Sequence, residues 1–217
     1  AKLVERRDKR KWILTLHDVL LTENQAEKPP EDEFEVQYIN RFDAVIVCGN
    51  EDRALIARQE VHIVRNGAQI TMQFRQSPAM GPILFLGPFR YPPNLKGIIE
   101  FLTDVYPLVR AQLPSVQLLI LGGDHARVTS ARYPCFDQPG VTVMDFIEDV
   151  MPHILNCSIS INPDTNVRGT SLKVIESLAG GRVCVSTKDG ARGLLEANLP
   201  SLVIVDRNSF SDCIVKL

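Results

Sequence analysis

The stretch "RGTSLKVIE", residues 168–176, gathers small residues, cations and one carboxylate around what reads as the start of a helix. Gly169, Thr170 and Ser171 can present backbone N–H groups that lack a partner in a preceding turn, and their small side chains let an anion come close. Arg168 stands just outside that end. Glu176 lies about 8 Å further along the axis, at 1.5 Å per residue. A carboxylate only accepts hydrogen bonds, so it suits hydroxyl groups some way from a phosphate. The spacing fits a nucleotide diphosphate laid along the helix, with phosphate at the mouth and ribose at Glu176. It also fits an i, i+3 pair of Lys173 with Glu176 on a solvated face, worth roughly a few tenths of a kcal/mol.

A second stretch, "GPFRYPPNLKG" (87–97), follows an apolar run and repeats the arrangement. Gly87 permits a tight turn or a close backbone approach, and two prolines stiffen the loop. Asn94 reads as the N-cap of the next helix. That places Lys96 in the first turn, where the helix dipole disfavours an exposed cation by ~0.3–1 kcal/mol. An anion bound there, with Arg90 beside it, reverses the sign; a surface lysine next to a structural loop is the plain alternative. His17, in "LTLHDV", comes just after a strand-like run, where functional groups collect. His62, His125 and His153 have no partner pattern. "LGGDHA" (121–126) lacks the G-x-G-x-x-G spacing of a dinucleotide-binding turn. Walker, nucleophile-elbow and H-E-x-x-H patterns are likewise missing from the sequence.

The elements that must hold these residues are legible as apolar runs. Strands are expected at 83–87, 117–121, 141–144, 158–162, 183–187 and 202–205, with helical segments at 94–111, 149–156, 171–180 and from 208 onward. Near-continuous apolar strands alternating with helices imply a parallel sheet covered on both faces, a doubly wound α/β domain. Ligands of such sheets sit at the carboxyl ends of the strands. Upstream, "WILTL" (12–16), "AVIVC" (44–48) and "VHIVRNG" (61–67) read as further strands. Phe34, Tyr38 and Phe42 share helical spacing between the first two. The polar stretch "AQITMQFRQSPAMGP" (68–82) is the expected linker.

The chain has 217 residues, 45% hydrophobic and 23% charged, with a net charge of −2. That balance gives no footing for nucleic-acid binding. The opening "AKLVERRDKRK" mixes acids with bases and reads as a solvated face, or as a peripheral contact with anionic headgroups. Five widely spaced cysteines fit neither a disulfide framework nor a zinc site, so a reducing, cytoplasmic setting is expected. The start within a charged segment and the stop at "SDCIVKL" read as a fragment of a longer polypeptide.

The segments "ILFLGPFRYPPNLKG", "VTVMDFIEDVMPHILNCSISINP" and "RGTSLKVIESLAGGRVCVSTKDGARGL" resemble the nucleotide-binding half of group 1 glycosyltransferases, retaining enzymes of the two-domain GT-B fold. "LTLHDV", "FDAVIVCGNEDRALI" and "VRNGAQI" resemble the end of that family's N-terminal domain. The resemblance implies a Rossmann-like C-terminal domain over 76–217, truncated at its end. Residues 1–75 would be a partial, acceptor-side Rossmann-like domain with its linker.

The resemblance further implies transfer of a hexosyl group from a UDP- or GDP-linked donor to a carbohydrate or lipid-linked acceptor. The configuration would be retained, with no cofactor and no bound metal, at the inner face of the membrane or in the cytoplasm. Glu176 matches the second glutamate of the family motif, on the ribose. The first falls at Arg168, as in a subgroup where a Gly-Thr turn and a lysine replace the acidic segment; Gly169, Thr170, Ser171 and Lys173 would then contact the donor phosphates. Gly87, Arg90 and Lys96 match the loop that clamps the diphosphate, and His17 the cleft histidine that positions or polarises the transferred sugar. Two other outcomes stay open: an epimerase or phosphorylase on the same fold, and a non-catalytic binding or assembly module.

Overall fold

A computed structural model describes residues 11–17, 19, 36–56, 58, 60–68 and 76–217. The basic opening (1–10), Phe34 and residues 69–75 of the expected linker lie outside the described residues. The chain divides into two compact units: residues up to 66 with Arg168–Thr170 and Arg192–Glu196, and Gly67–Val167 with Ser171–Ala191 and Ala197–Leu217.

The smaller unit contains a parallel sheet of β1 (Ile13–Thr15), β2 (Ala44–Val47) and β3 (Val61–Ile63), with α1 (Asn50–Leu55) between the last two. All three strands fall within the expected apolar runs. Residues 36–39 are helical, and Tyr38 meets Phe42 edge to face with ring centroids 5.4 Å apart, the contact that their spacing implied. Val45, Val47, Ile39, Ile56 and Val61 form the core of this unit. Buried Asp52 is paired with Arg192 at 2.8 Å, and Glu51 accepts from the Gly193 N–H at 3.0 Å.

In the larger unit the elements run β4 (Ile83–Leu86), α2 (Pro92–Glu100), a π turn (Phe101–Val105), α3 (Tyr106–Gln112), β5 (Leu118–Leu121), α4 (Ala126–Ser130), β6 (Val141–Met144), α5 (Met151–Asn156), β7 (Ile159–Asn162), α6 (Leu172–Ala179), β8 (Cys184–Ser186), β9 (Leu202–Ile204) and α7 (Phe210–Lys216). The six strands are all parallel, in the order β6-β5-β4-β7-β8-β9. This is the doubly wound, Rossmann-like α/β sheet. β4 and β7 are buried along their whole length because helices cover both faces. Side chains alternate across a strand, so Ile83 and Phe85 enter a core with Ile98, Phe101, Phe210 and Ile214, while Leu84 and Leu86 meet Ile154 and Cys157 on the other face. The chain leaves β4 towards β5 and β6, then returns to β7 on the opposite side of β4. The crevice at the carboxyl ends of β4 and β7 is therefore the topological switch point.

Two local features differ from the expected pattern. The long helix starts at Pro92 rather than Asn94, since proline is tolerated where helical N–H groups have no acceptor anyway. It also passes through a π turn just before Pro107, whose missing N–H and ring cannot continue the α ladder. α4 had no amphipathic signal in its five residues and was not expected. Among the described residues no helix is long and apolar enough to cross a membrane.

Arg182 is fully buried just before β8. Its guanidinium donates to the carbonyls of Ile154 (2.9 Å) and Leu155 (2.8 Å) and to Ser77 Oγ (2.8 Å). The two carbonyls lie in the last turn of α5, where the helix dipole favours a cation. Arg182→Met removes these charge-assisted bonds and orphans the acceptors, so it is expected to cost roughly 3 kcal/mol, read as a lower urea midpoint at unchanged m-value. A midpoint equal to that of the wild type would show the guanidinium to be dispensable.

Candidate functional site

At the end of β4 the chain turns at Gly87, where a Cβ would stand 2.8 Å from the Phe85 ring and 2.9 Å from Asn94 Cγ. The turn spends most of its N–H groups internally. Gly87 donates to Leu121 O, Phe89 to Gly122 O, Tyr91 to Pro88 O and Asn94 to Tyr91 O. Pro92 and Pro93, the first residues of α2, have no N–H to offer. Asn94 is consequently not an N-cap but a buried residue inside the first turn; its Nδ2 donates to Pro88 O at 2.9 Å. Lys96 falls beyond that turn, exposed, 3.9 Å from Glu100, so the dipole penalty expected for it does not arise. Arg90 is exposed on the loop.

Leaving β7, the chain supplies two polar side chains that are completely enclosed. Asn162 donates through Nδ2 to Ser171 Oγ (3.0 Å) and to Gly190 O (2.7 Å). Asp164, with no exposed surface, pairs with Lys173 through a very short contact to Nζ. Lys173 Nζ also donates to Asn94 Oδ1 at 2.7 Å and stands 5.1 Å from the centre of the Phe85 ring, within cation–π range. α2 passes tightly over this pair: a Cβ on Gly97 would come within 2.8 Å of Asp164 Oδ1. Burial lowers the Lys173 pKa, with Asp164 opposing the shift, and burial raises that of Asp164, with Lys173 opposing it. The ionised pair is thus held against a desolvation cost by its own attraction.

α6 begins here, with Ser171 as its capping residue and Lys173 in its first turn. The N–H groups of Leu172 and Lys173 find no acceptor among the described residues, as expected at a helix N-terminus. Val174 and Ser177 face the core, Leu172 faces solvent, and the helix stops at Gly180 and Gly181, the latter with φ 72°. Glu176 is half-buried. Among the described residues its carboxylate has no hydrogen-bond donor or cation, and Lys173 is engaged elsewhere, so the i, i+3 surface pair is not formed. Desolvation alone pushes the Glu176 pKa up.

The remaining expected site residues are in the smaller unit. Gly169 adopts φ 65°, which favours glycine, and leads with exposed Arg168 and partly buried Thr170 into Ser171. His17 is exposed, with Nδ1 3.9 Å from Cys48 Sγ; Cys48 in turn donates to Asn66 Oδ1 at 3.5 Å. All five cysteines are free, and burial pushes the thiols of Cys157 and Cys184 up to about 12 and about 11. Such thiols are poor nucleophiles at neutral pH. No three His, Cys, Asp or Glu side chains converge on a metal-sized site among the described residues.

The structure thus brings Asn94, Asn162, Asp164, Ser171 and Lys173 together at the switch point. Asn162 and Asp164 went unnoticed in the sequence, although the signal was present. Both are polar residues at the carboxyl end of an apolar strand, separated by a proline.

Because the Glu176 pKa is raised by folding, its protonated form is favoured in the native state. The stability this lends is complete below the ordinary glutamate pKa and is lost as pH rises through the folded value. Glu176→Gln is therefore expected to melt above the wild type at pH 7, with the gap closing at pH 4. An equal gap at both pH values would contradict the desolvation account.

A profile of the family described as glycosyl transferases group 1 matches residues 82–217. An uncharacterized 44.6 kDa protein in the cps region of Klebsiella pneumoniae is 28% identical over 130 residues, which is 57% of this chain and 33% of that relative. TarM superposes with a TM-score of 0.77 at 13% identity, over all of this chain and 45% of TarM. WaaG, a glycosyltransferase involved in lipopolysaccharide biosynthesis, gives 0.68 at 13% identity over 94% of this chain and 65% of its own. Anabaena HepE in complex with UDP and glucose gives 0.64 at 15%, over 95% of this chain and 60% of its own. The chain spans less than two thirds of each of these proteins. Their shared fold is the GT-B arrangement of Rossmann-like domains.

Proposed function

The chain belongs to the group 1 glycosyl transferases, and from that premise we propose that it serves transfer of a hexosyl group from a nucleotide diphosphate donor, UDP- or GDP-linked, to a carbohydrate or lipid-linked acceptor. The observation that carries this reading is Glu176, a half-buried carboxylate kept at a desolvation cost with no partner among the described residues. A residue that the fold could replace by glutamine at a gain in stability calls for a use outside the fold, and two ribose hydroxyls are suitable donors to it.

In this reading the diphosphate meets the mouth of α6, where N–H groups of the first turn, the Ser171 hydroxyl and Lys173 lie. Gly169 and Thr170, which precede Ser171 in the chain, allow close backbone approach, and Arg90 and Lys96 supply positive charge on the α2 side, with Gly87 keeping the β4–α2 turn tight. Preorganised donors of this kind stabilise the charge that develops on a leaving diphosphate, a role a metal fills in other enzymes. Retention of configuration accords with the family. UDP complexes of structural relatives such as HepE support a uridine donor ahead of guanosine.

UDP or GDP at millimolar concentration is expected to raise the melting temperature of the chain, and Glu176→Ala to abolish the rise while the protein still unfolds cooperatively. Failure of both nucleotides to stabilise the wild type would remove the donor-site reading.

A further inference from the structure

We propose that Asn162 and Asp164, at the end of β7, are positioning residues that orient Ser171 and Lys173 for the donor diphosphate. The inference rests on the donor-site reading above and adds to it how the phosphate-facing donors acquire their direction.

The orientation of Asn162 follows from its partners. The Gly190 carbonyl 2.7 Å away can only accept, so the amide nitrogen must face it, and the same NH₂ reaches Ser171 Oγ. Ser171 therefore accepts from Asn162 and keeps its own proton for an oxygen outside the network. Lys173 is treated similarly. Asn94 Oδ1 and Asp164 Oδ2 take two of its three N–H bonds, and the amide of Asn94 is itself fixed through Pro88 O. One N–H remains. Asp164 also offsets the ammonium charge, so the lysine offers a directed hydrogen bond instead of a mobile cation. Asn162 and Asp164, together with Asn94 of α2, thereby leave each of the two contact residues a single donor to give.

A second observation indicates that this network is not arranged for stability alone. Asn162 and Asp164 are each no more than 1% exposed, yet the Oδ1 atom of each lacks a donor among the described residues. Buried acceptors left without donors are costly and uncommon, and an apolar pair of the same size would avoid the cost.

The test compares diphosphate with nucleoside. The 217-residue chain and its Asp164→Asn and Asn162→Ala variants are titrated with UDP and uridine, and with GDP and guanosine, by calorimetry or NMR. Each variant is expected to lose at least tenfold in the ratio of diphosphate to nucleoside affinity, with nucleoside affinity within twofold of the wild type. Glu176→Ala should weaken nucleoside and diphosphate together, leaving the ratio near the wild-type value. A loosened fold would weaken both ligands alike, so the ratio separates positioning from general damage. If Asp164→Asn does not fold, Asn162→Ala decides the matter because it disturbs no charge. An unchanged ratio in a folded variant overturns this inference and leaves the donor site standing. A wild-type chain that binds none of the four ligands overturns both.

Discussion

Lys173 and Asp164 face each other at the point where β4 and β7 part, in a place that has room for little water around either charge. Removing one partner of such a buried pair costs about 3–5 kcal/mol, whereas replacing both by apolar residues is often neutral or better. The pair is thus weak evidence for added stability and stronger evidence for fixed position. It joins α6 to the end of β7 and, through Asn94, to the turn after β4. Gly97 is part of the same constraint, since a side chain there would displace Asp164.

From this constraint comes an asymmetry between the two helix beginnings beside the crevice. α2 opens on two prolines after a turn that has already spent most of its N–H groups. Among the described residues α6 opens with N–H groups still unspent, behind a serine and a lysine held from β7. The two mouths were read from the sequence as equivalent anion sites. They differ because proline removes the donor on which such a site depends, and the positive charge of Arg90 and Lys96 remains near α2 without the backbone to focus it.

Glu176 shows the same logic at the far side of the helix. A carboxylate partly out of water and with no donor among the described residues is a local defect that a fold selected only for stability would not retain. Positions that break a local rule without a gain in packing are where function is to be sought. The same holds for the two enclosed Oδ1 atoms of Asn162 and Asp164, a short distance along the chain.

The six strands of the larger sheet could be placed from the sequence to within a residue or two, because a parallel sheet covered on both faces demands short, unbroken apolar runs and few other structures do. Glu176 and the glycine-rich turn before it were legible for a similar reason: helix geometry converts spacing into distance. Partnership was not legible. Whether Lys173 would meet Glu176 three positions away or a carboxylate across the crevice depends on strand order, which brings β7 beside β4 although dozens of residues separate them in sequence. Asn94 looked like a cap because capping is a local property, yet its burial against Lys173 is a non-local one. The chain's own residues determined which elements form and which faces they bury. Only the tertiary structure decided which polar groups spend their hydrogen bonds inside the protein and which keep them for a ligand, since that accounting depends on neighbours the sequence does not place side by side.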